Sequence, residues 1–386
     1  MTVRIDKLGV VIAALLAYGA FLAPFALFRA NRIVPGEAKT ILDALPGGFG
    51  AALLGLVALA IVLIVLKTPT ILRLVLGLAA LLALAILIGL SASHLTPPEN
   101  TYARVSPASG FWLTSFAFAL LTADALARLK LSAYARVALL AVVAAAIAGL
   151  LMSGAWDGLS ILKEYGSRAE TFWLEAGRHV VLALGSLAAA TLVGLPLGIL
   201  CHRVEPLRAG VLNGLNIIQT IPSIALFGLL IAPLGWIALH VPGAAAIGIR
   251  GIGAAPAFVA LFLYSLLPVV ANTVVGLAGV PRDANDAARG IGMTDRQRLF
   301  GVELPLAFPV ILTGIRIVLV QNIGLATIAA LIGGGGFGVF VFQGIGQTAM
   351  DLVLLGAVPT VALAFAAAIV LDAATEISSN KPGRAA

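Results

Sequence analysis

Long, uninterrupted apolar runs constrain this chain more than any other feature of its sequence. The run 70–90, for example, contains a single charged residue, Arg73. A helix of about 20 apolar residues spans the hydrocarbon core of a bilayer. Apolar and polar residues do not alternate within these runs, as they do in the strands of a membrane β-barrel. The pattern therefore predicts an all-α integral membrane protein with about ten transmembrane helices.

The composition excludes a large soluble protein. Hydrophobic residues make up 61% of the chain, charged residues only 11%, and the mean hydropathy is +1.10, whereas soluble domains are ~45–50% apolar and ~25% charged. The net charge of +7 does not indicate a nucleic-acid partner. Lys and Arg lie in the short loops between apolar runs, which is where membrane topology places them.

Cysteine and histidine show no pattern of a reactive or metal-binding site. The single cysteine, Cys201, excludes an intramolecular disulfide and a cysteine-cluster metal site. The histidines are scattered without metal-ligand spacing, at His94, His179, His202 and His240. We therefore expect no catalytic, cofactor-binding or metal site in this chain.

The apolar runs fall into two groups. Ten spans are predicted, at about 8–28, 49–66, 70–90, 109–127, 134–153, 178–200, 211–233, 256–280, 308–333 and 350–372. Residues 154–177 mix charged and aromatic side chains, which predicts an amphipathic segment on the outer membrane surface. We place a boundary there, between an N-terminal five-span region at 1–153 and a second five-span region at 178–375. Residues 376–386 are predicted to be a polar cytoplasmic tail.

Charge and aromatic distribution predict the orientation in the membrane. With both termini in the cytoplasm, roughly twice as many Lys and Arg lie on the cytoplasmic side as on the outer side. All four tryptophans then lie at the outer boundary, where aromatic belts form. The loop that follows the span at 256–280 faces the cytoplasm in this orientation.

That cytoplasmic loop is a polar island between two apolar runs. Its charged residues are Arg282, Asp283, Asp286, Arg289, Asp295, Arg296, Arg298 and Glu303. The local signals predict two short helices, the first capped by Asp283 and ended by Gly292 in a left-handed conformation. Thr294 and Gln297 form a predicted capping box for the second helix, and Pro305 is expected to end it before the next apolar run. Such a helix–turn–helix between two spans is suited to docking into a partner.

The spacing of this loop resembles the EAA loop of ABC importer permeases. The family pattern is Glu-Ala-Ala, three residues, Gly, nine residues, then Ile-x-Leu-Pro. The corresponding residues here are Asp286, Ala287, Ala288, Gly292, Val302, Leu304 and Pro305. Asp286 replaces the family's Glu, which keeps the charge but shortens the side chain, and Val302 replaces its Ile.

The sequence on both sides of the loop resembles one group of these permeases in particular. From 218–223 through 356–359, the chain is similar to osmoprotectant permeases, which take up glycine betaine, carnitine or choline. The resemblance covers roughly residues 160–375, and a longer subgroup with extra N-terminal spans is similar to the remainder. It implies a five-helix type I ABC importer permease core in the inner membrane, with a coupling loop at 282–306 that docks into an ABC ATPase subunit. It also implies a periplasmic substrate-binding protein and a second permease subunit, identical or homologous, as partners beside membrane lipid.

The chain has no phosphate-binding motif of its own. The pattern Gly-x-x-x-x-Gly-Lys-Ser/Thr is absent, and the Gly-rich run 333–338 lacks the lysine that contacts phosphates. The run is expected to be a flexible or tightly packed turn. We therefore expect ATP to be used by the separate ATPase subunit, with no cofactor bound to this chain.

A few polar residues lie inside the predicted spans, and each is a candidate for function because burying polar groups in a membrane is costly. They are Gln219, Thr220, Asn272, Gln321 and Asn322, and Pro222 accompanies the first pair as a further candidate. These residues either line a translocation path with a flexible gate, or hydrogen-bond helices to one another beside a proline kink. A neutral polar path suits a zwitterion or a cation.

Two further features bear on the substrate. Arg316 lies inside a span, where snorkelling or pairing with Asp372 or Glu303 is favoured over substrate contact. Quaternary ammonium groups are usually bound by aromatic cages, and no aromatic cluster is visible in the spans of the second region. Strong recognition of such a substrate is therefore expected in a partner protein.

Other functions remain open at this point. An ion-coupled secondary transporter uses intramembrane ionisable residues and often has two similar halves, whereas these spans are nearly free of carboxylates. A membrane-embedded enzyme requires a cluster of His, Asp or Glu at the membrane surface, and a membrane scaffold leaves the capped loop unexplained. An ABC permease for an amino acid or another small solute is the nearest alternative.

Overall fold

The computed structural model describes residues 6–32, 34–97 and 99–379. The chain divides into two compact units, Met1–Ser167 and Arg168–Ala386. Most of the tail predicted at 376–386 lies outside the described residues.

The described residues of the first unit form seven helices, and all five spans predicted there are helical. The helices are α1 (Lys7–Phe21), α2 (Ile41–Ala44), α3 (Phe49–Val65), α4 (Thr70–Leu95), α5 (Ser109–Leu129), α6 (Ala133–Met152) and α7 (Ser160–Gly166). The first span was predicted to continue to residue 28, but α1 ends at Phe21. Pro24 cannot donate a helical hydrogen bond, and the residues that follow it pair as a strand.

A small antiparallel sheet combines the end of the predicted first span with two segments that lie between predicted spans. Its strands are β1 (Ala26–Arg29), β2 (Glu37–Lys39) and β3 (Arg104–Pro107), in the order β2-β1-β3. Phe28 pairs with both Glu37 and Val105. Strands this short give no detectable alternation of apolar and polar residues, so the otherwise all-α chain contains a sheet that its pattern could not show.

A buried ion pair ties the ends of three helices of this unit together. The Arg73 guanidinium donates to the Asp6 carboxylate over 2.5 Å and to the Leu66 carbonyl over 2.8 Å. Burial acts to raise the pKa of the Asp6 carboxyl, but the hydrogen bonds from Arg73 and the Gly9 N–H and the charges of Arg73 and Arg128 bring that pKa below its usual value. The negative charge of Asp6 is therefore part of the folded structure.

The described residues of the second unit form helices joined by turns and loops, with no strand. Its elements are α8 (Ala169–Arg203), α9 (Glu205–Thr220), α10 (Ser223–Leu229), α11 (Ile231–His240), α12 (Ala254–Ala278), α13 (Arg282–Gly290), α14 (Asp295–Arg298), a π-helical turn (Leu299–Glu303), α15 (Leu304–Leu325), a 3-10 turn (Ile328–Ile332), α16 (Gly338–Gly346) and α17 (Met350–Ser379).

Two predicted boundaries in this unit are wrong. The surface segment at 154–177 and the span at 178–200 are not separate, because α8 runs unbroken over 35 residues from Ala169. No strong helix breaker separates Ala169 from Arg178. Conversely, the span at 211–233 is interrupted: Ile221 is extended and Pro222 lacks an N–H, so α9 ends before them and α10 begins after them.

The number of spans agrees with the prediction of about ten. Eight helical segments of the described residues are long and apolar enough to cross a membrane, with α10 and α11 taken together as Ser223–His240. The helices α1 and α3 are apolar but shorter. The chain is an all-α multi-pass membrane protein apart from its small sheet.

Helix α12 lies at the centre of the second unit, packed against α8 and α15. Small residues allow these helices to approach closely, as is usual in membranes. A Cβ added at Gly198 of α8 would lie 2.5 Å from the Thr273 Cβ of α12. These three helices form the frame from which the polar loop at 282–303 projects.

Candidate coupling loop and translocation path

The turn between α13 and α14 has the predicted left-handed glycine. Gly292 has φ +82°, and the Met293 N–H donates to the Ala288 carbonyl over 3.1 Å to close the end of α13. Nothing lies within 4 Å of a Cβ built at Gly292. The glycine is therefore required by backbone conformation and not by crowding.

The start of α13 differs from the prediction. Pro281 occupies the N-cap position, and no side chain caps the helix there. Asp283 lies in the first turn instead, where its charge still interacts favourably with the helix dipole.

The capping box of α14 is confirmed. The Thr294 Oγ1 accepts from the Gln297 N–H over 3.3 Å, and the Gln297 Oε1 accepts from the Thr294 N–H over 2.9 Å. The predicted break at Pro305 is wrong, because Asp295–Leu325 is one continuous helical segment. Pro305 comes just after the π-helical turn Leu299–Glu303, and the helix continues through it although Pro305 has no N–H to donate to the preceding turn.

The loop presents a small, charged face to its surroundings. Asp286 and Ala287 are exposed, whereas Ala288 is buried. Asp286 and Arg289 form only a loose surface ion pair at 3.8 Å, which contributes little. Further along, Val302 and Leu304 are half-buried and Pro305 is exposed. The Asp286 carboxylate is thus accessible, beside a side chain too small to obstruct close contact.

Glu303 anchors this loop to the rest of the unit, a role that the sequence did not reveal. Its carboxylate accepts from Arg203 over 2.5 Å and from Arg298 over 3.0 Å. Glu303 and Arg298 are 3% and 4% exposed. The sequence indicated Glu303 only as a charge at the edge of an apolar run and as one of two candidate partners for Arg316.

The break between α9 and α10 exposes some of the candidate path residues. Gln219 is half-buried and donates to the Tyr264 carbonyl over 2.8 Å, and the Tyr264 hydroxyl donates to the Ile221 carbonyl over 2.5 Å. The second bond satisfies the Ile221 carbonyl at the break. The first satisfies the Tyr264 carbonyl of α12, which has no helical donor because Pro268, four residues on, lacks an N–H. Thr220 and Pro222 are exposed.

The remaining candidates lie on α12 and α15. Asn272 is half-buried and donates to the Pro268 carbonyl over 2.8 Å, and Gln321 is half-buried. Asn322 is fully buried and donates to Ser186 and Ser265, each over 2.9 Å. In this conformation the Asn322 side chain is used between helices, which is the helix-packing alternative considered above.

The Gly-rich run 333–338 forms a tightly packed turn. Gly335 and Gly336 have φ of +78° and +86°. The Gly336 N–H donates to the buried Glu175 carboxylate over 2.6 Å, and the Phe337 N–H donates to the His179 Nδ1 over 3.4 Å. The turn is thus fixed to the first part of α8.

An aromatic cluster forms outside the spans that were predicted for the second region, between the segment 154–177 and residues in and just after the Gly-rich run. The Phe172 ring lies 5.4 Å from the Phe337 ring and 6.0 Å from the Phe340 ring, centroid to centroid. Trp173 contacts Phe172 edge-on at 5.5 Å. The residues come from distant parts of the chain, so no local pattern could show the cluster.

Arg316 pairs with Asp372, one of the two partners that the sequence allowed. Among the described residues, no group of three or more His, Cys, Asp or Glu side chains is placed to hold a metal ion.

Comparison with known proteins identifies the family. Residues 194–382 match the model of the binding-protein-dependent transport system inner membrane component, and residues 6–162 match the N-terminal domain of the ABC transporter permease YehY. The chain is 44% identical to the osmoprotectant import permease protein OsmW of Salmonella typhimurium over 195 residues, which cover 50% of this chain and 84% of OsmW. The chain belongs to the binding-protein-dependent permease family. This membership confirms the ABC permease resemblance.

Other relatives are similar over the same part of the chain. The glycine betaine/carnitine/choline permease protein OpuCB of Bacillus subtilis is 37% identical over 54% of this chain and 86% of its own length. Among solved structures, the inward-facing MetNI methionine ABC transporter is similar over 54% of this chain and 97% of that one, with a TM-score of 0.45 and 21% identity.

Proposed function

We propose that this chain is the transmembrane permease subunit of an ATP-driven importer for osmoprotectants such as glycine betaine, choline or related quaternary amines. The observation that carries the proposal is the similarity to OsmW and OpuCB over more than four-fifths of each relative. These relatives are named as permeases for osmoprotectants and for glycine betaine, carnitine and choline.

The loop at 282–306 is the proposed contact with a separate ABC ATPase subunit. The residues that carry it are Asp286, Ala287, Ala288, Gly292, Val302, Leu304 and Pro305. The exposed carboxylate of Asp286 offers a charge-assisted hydrogen bond to a basic partner surface. ATP hydrolysis belongs to that partner, because this chain lacks a phosphate-binding motif.

The translocation path is proposed to run past the α9–α10 break. The residues that contribute to it are Gln219, Thr220, Pro222, Asn272 and Gln321. Asn322 stabilises the position of α15 through its hydrogen bonds to α8 and α12. Exposed polar groups at this depth are costly against lipid. We therefore propose that a second permease subunit, identical or homologous, shields these polar groups from lipid. A periplasmic substrate-binding protein delivers the solute.

The proposed orientation places both termini in the cytoplasm and the protein in the inner membrane. The distribution of Lys and Arg supports it. In that orientation the loop at 282–306 is on the side where ATP is present.

Uptake of labelled glycine betaine, choline and an amino acid, measured in cells with and without the gene, tests the substrate. The expected result is loss of glycine betaine or choline uptake alone. Loss of amino acid uptake alone would show that the permease serves a different solute.

A further inference from the structure

Three polar contacts join α8 to the segment 298–336, which begins within the coupling loop and continues beyond it. The first lies at the end of α8, where Glu303 accepts from Arg203 and from Arg298, at 2.5 and 3.0 Å. Arg298 belongs to α14 and Glu303 to the π-helical turn. A buried carboxylate paired with two guanidinium groups resists separation, because each charge left alone would be desolvated without compensation.

The second contact lies within the bundle. Asn322 of α15 donates to Ser186 of α8 over 2.9 Å, and it bonds Ser265 of α12 over the same distance. All three side chains are buried. Sliding α15 along α8 would leave these polar groups unpaired in an apolar environment, which is costly.

The third contact lies at the other end of α8. Glu175 accepts from the Gly336 N–H over 2.6 Å, and Arg178 donates to the same carboxylate over 2.7 Å. A Cβ at Gly335 would lie only 2.5 Å from the Glu175 Oε2. The turn therefore approaches α8 as closely as a backbone without side chains allows.

The three contacts are spread along one continuous helix. At 1.5 Å per residue, Glu175 lies about 16 Å from Ser186, and Ser186 about 26 Å from Arg203. We infer that α8 and the segment 298–336 move as one rigid body, in which Glu303 and Glu175 are positioning residues. A displacement of the coupling loop by the ATPase then reaches the far end of the bundle without bending or sliding. This inference rests on the proposed function of that loop.

Distance measurements on the complete transporter test the rigid pair directly. Spin labels are attached through Gly177→Cys on α8 and Leu331→Cys on the 3-10 turn, both exposed, in a Cys201→Ala background. The label distance is measured without nucleotide and after vanadate trapping. The inference predicts the same mean distance in both states. A shift of about 5 Å, the length of one helical turn, overturns it.

A substitution tests the role of Glu303. Glu303→Gln removes the charge that both guanidinium groups share, while the exposed loop face at Asp286 is unchanged. We expect the ATPase to co-purify and to hydrolyse ATP as in wild type, while uptake per ATP falls about tenfold, near the upper range for a residue that couples two sites. The matched control is Glu205→Gln, an exposed carboxylate just beyond the same end of α8.

The outcomes are distinct. Wild-type uptake per ATP in Glu303→Gln overturns the inference, even if the importer assignment stands. Failure of the unaltered complex to import any tested solute refutes the proposed function, whereas a constant label distance still supports the rigid pair. If Glu303→Gln does not fold, the distances in the otherwise unaltered complex decide alone.

Discussion

Replacing Gly292 by valine should uncouple the permease from its ATPase. The residue has φ +82°, a region that costs an L-residue about 1–2 kcal/mol and in which a β-branched residue is an outlier. No neighbour lies within 4 Å of the new Cβ, so the entire cost is conformational and falls on the turn between α13 and α14. If docking requires this turn, affinity for the ATPase falls by about 5- to 30-fold, because 1.4 kcal/mol corresponds to a factor of ten.

The chain offers a matched control two residues away. Gly290 is helical and equally open around its Cβ position, so Gly290→Ala should be neutral or stabilise α13 by about 0.5–1 kcal/mol. Gly292→Asn should be intermediate, because asparagine tolerates the left-handed region. Titration of the purified permease with its ATPase gives the affinities, and size-exclusion profiles check folding. Equal affinities for Gly292→Val and Gly290→Ala would refute the reasoning.

Four further predictions follow from the structure. Asp286→Lys should weaken ATPase co-purification, whereas Asp286→Glu should preserve it, because only the first reverses the exposed charge; equal recovery of both would exclude Asp286 from the contact. Gln219→Leu and Gln321→Leu should lower uptake in vesicles with protein level and ATPase binding intact; normal uptake would make both residues helix-packing groups. Removing the chain before Trp156 should leave a core that still assembles with its ATPase; loss of membrane insertion and of coupled hydrolysis would contradict this. Asp6→Asn should destabilise the full chain by about 3 kcal/mol at neutral pH, because it breaks a buried ion pair. The pKa of the Asp6 carboxyl is lower in the folded than in the unfolded chain, so the stabilisation is present above the unfolded pKa and is lost as pH falls through the folded pKa. The difference in thermal midpoint between wild type and Asp6→Asn should therefore shrink over that pH range.

Local signals in the sequence predicted part of the local structure of the loop, although the Asp283 cap and the break at Pro305 were wrong. The left-handed Gly292 and the Thr294 capping box depend on residues within one turn of the chain, so short patterns suffice. The spans were predicted for a similar reason, because hydropathy reports each helix separately from its neighbours.

Features that depend on distant residues could not be predicted in the same way. Glu303 is anchored by Arg203, and Phe172 meets Phe337, across long stretches of chain. The continuity of α8 was not predicted, because the charged residues in its first turns are typical of a surface segment and the sequence does not show that one of them is buried. The buried charge is Glu175, whose carboxylate accepts a hydrogen bond from the Gly336 N–H.

The polar residues inside the spans show most directly what cannot be predicted from sequence. Asn322 and Gln321 are adjacent in the sequence, yet one is fully buried between helices and the other is half-buried. From residue type alone, burying either amide side chain in the membrane carries the same energetic cost. Only the packing of α8, α12 and α15 separates a helix-packing residue from a candidate for the path.

The most direct test of the account is solute uptake into vesicles that contain this permease, its ATPase and its binding protein. The account predicts glycine betaine or choline uptake that requires ATP, requires this chain, and is lost when the ATPase is omitted. Uptake that proceeds without ATP and follows an imposed ion gradient would contradict the account.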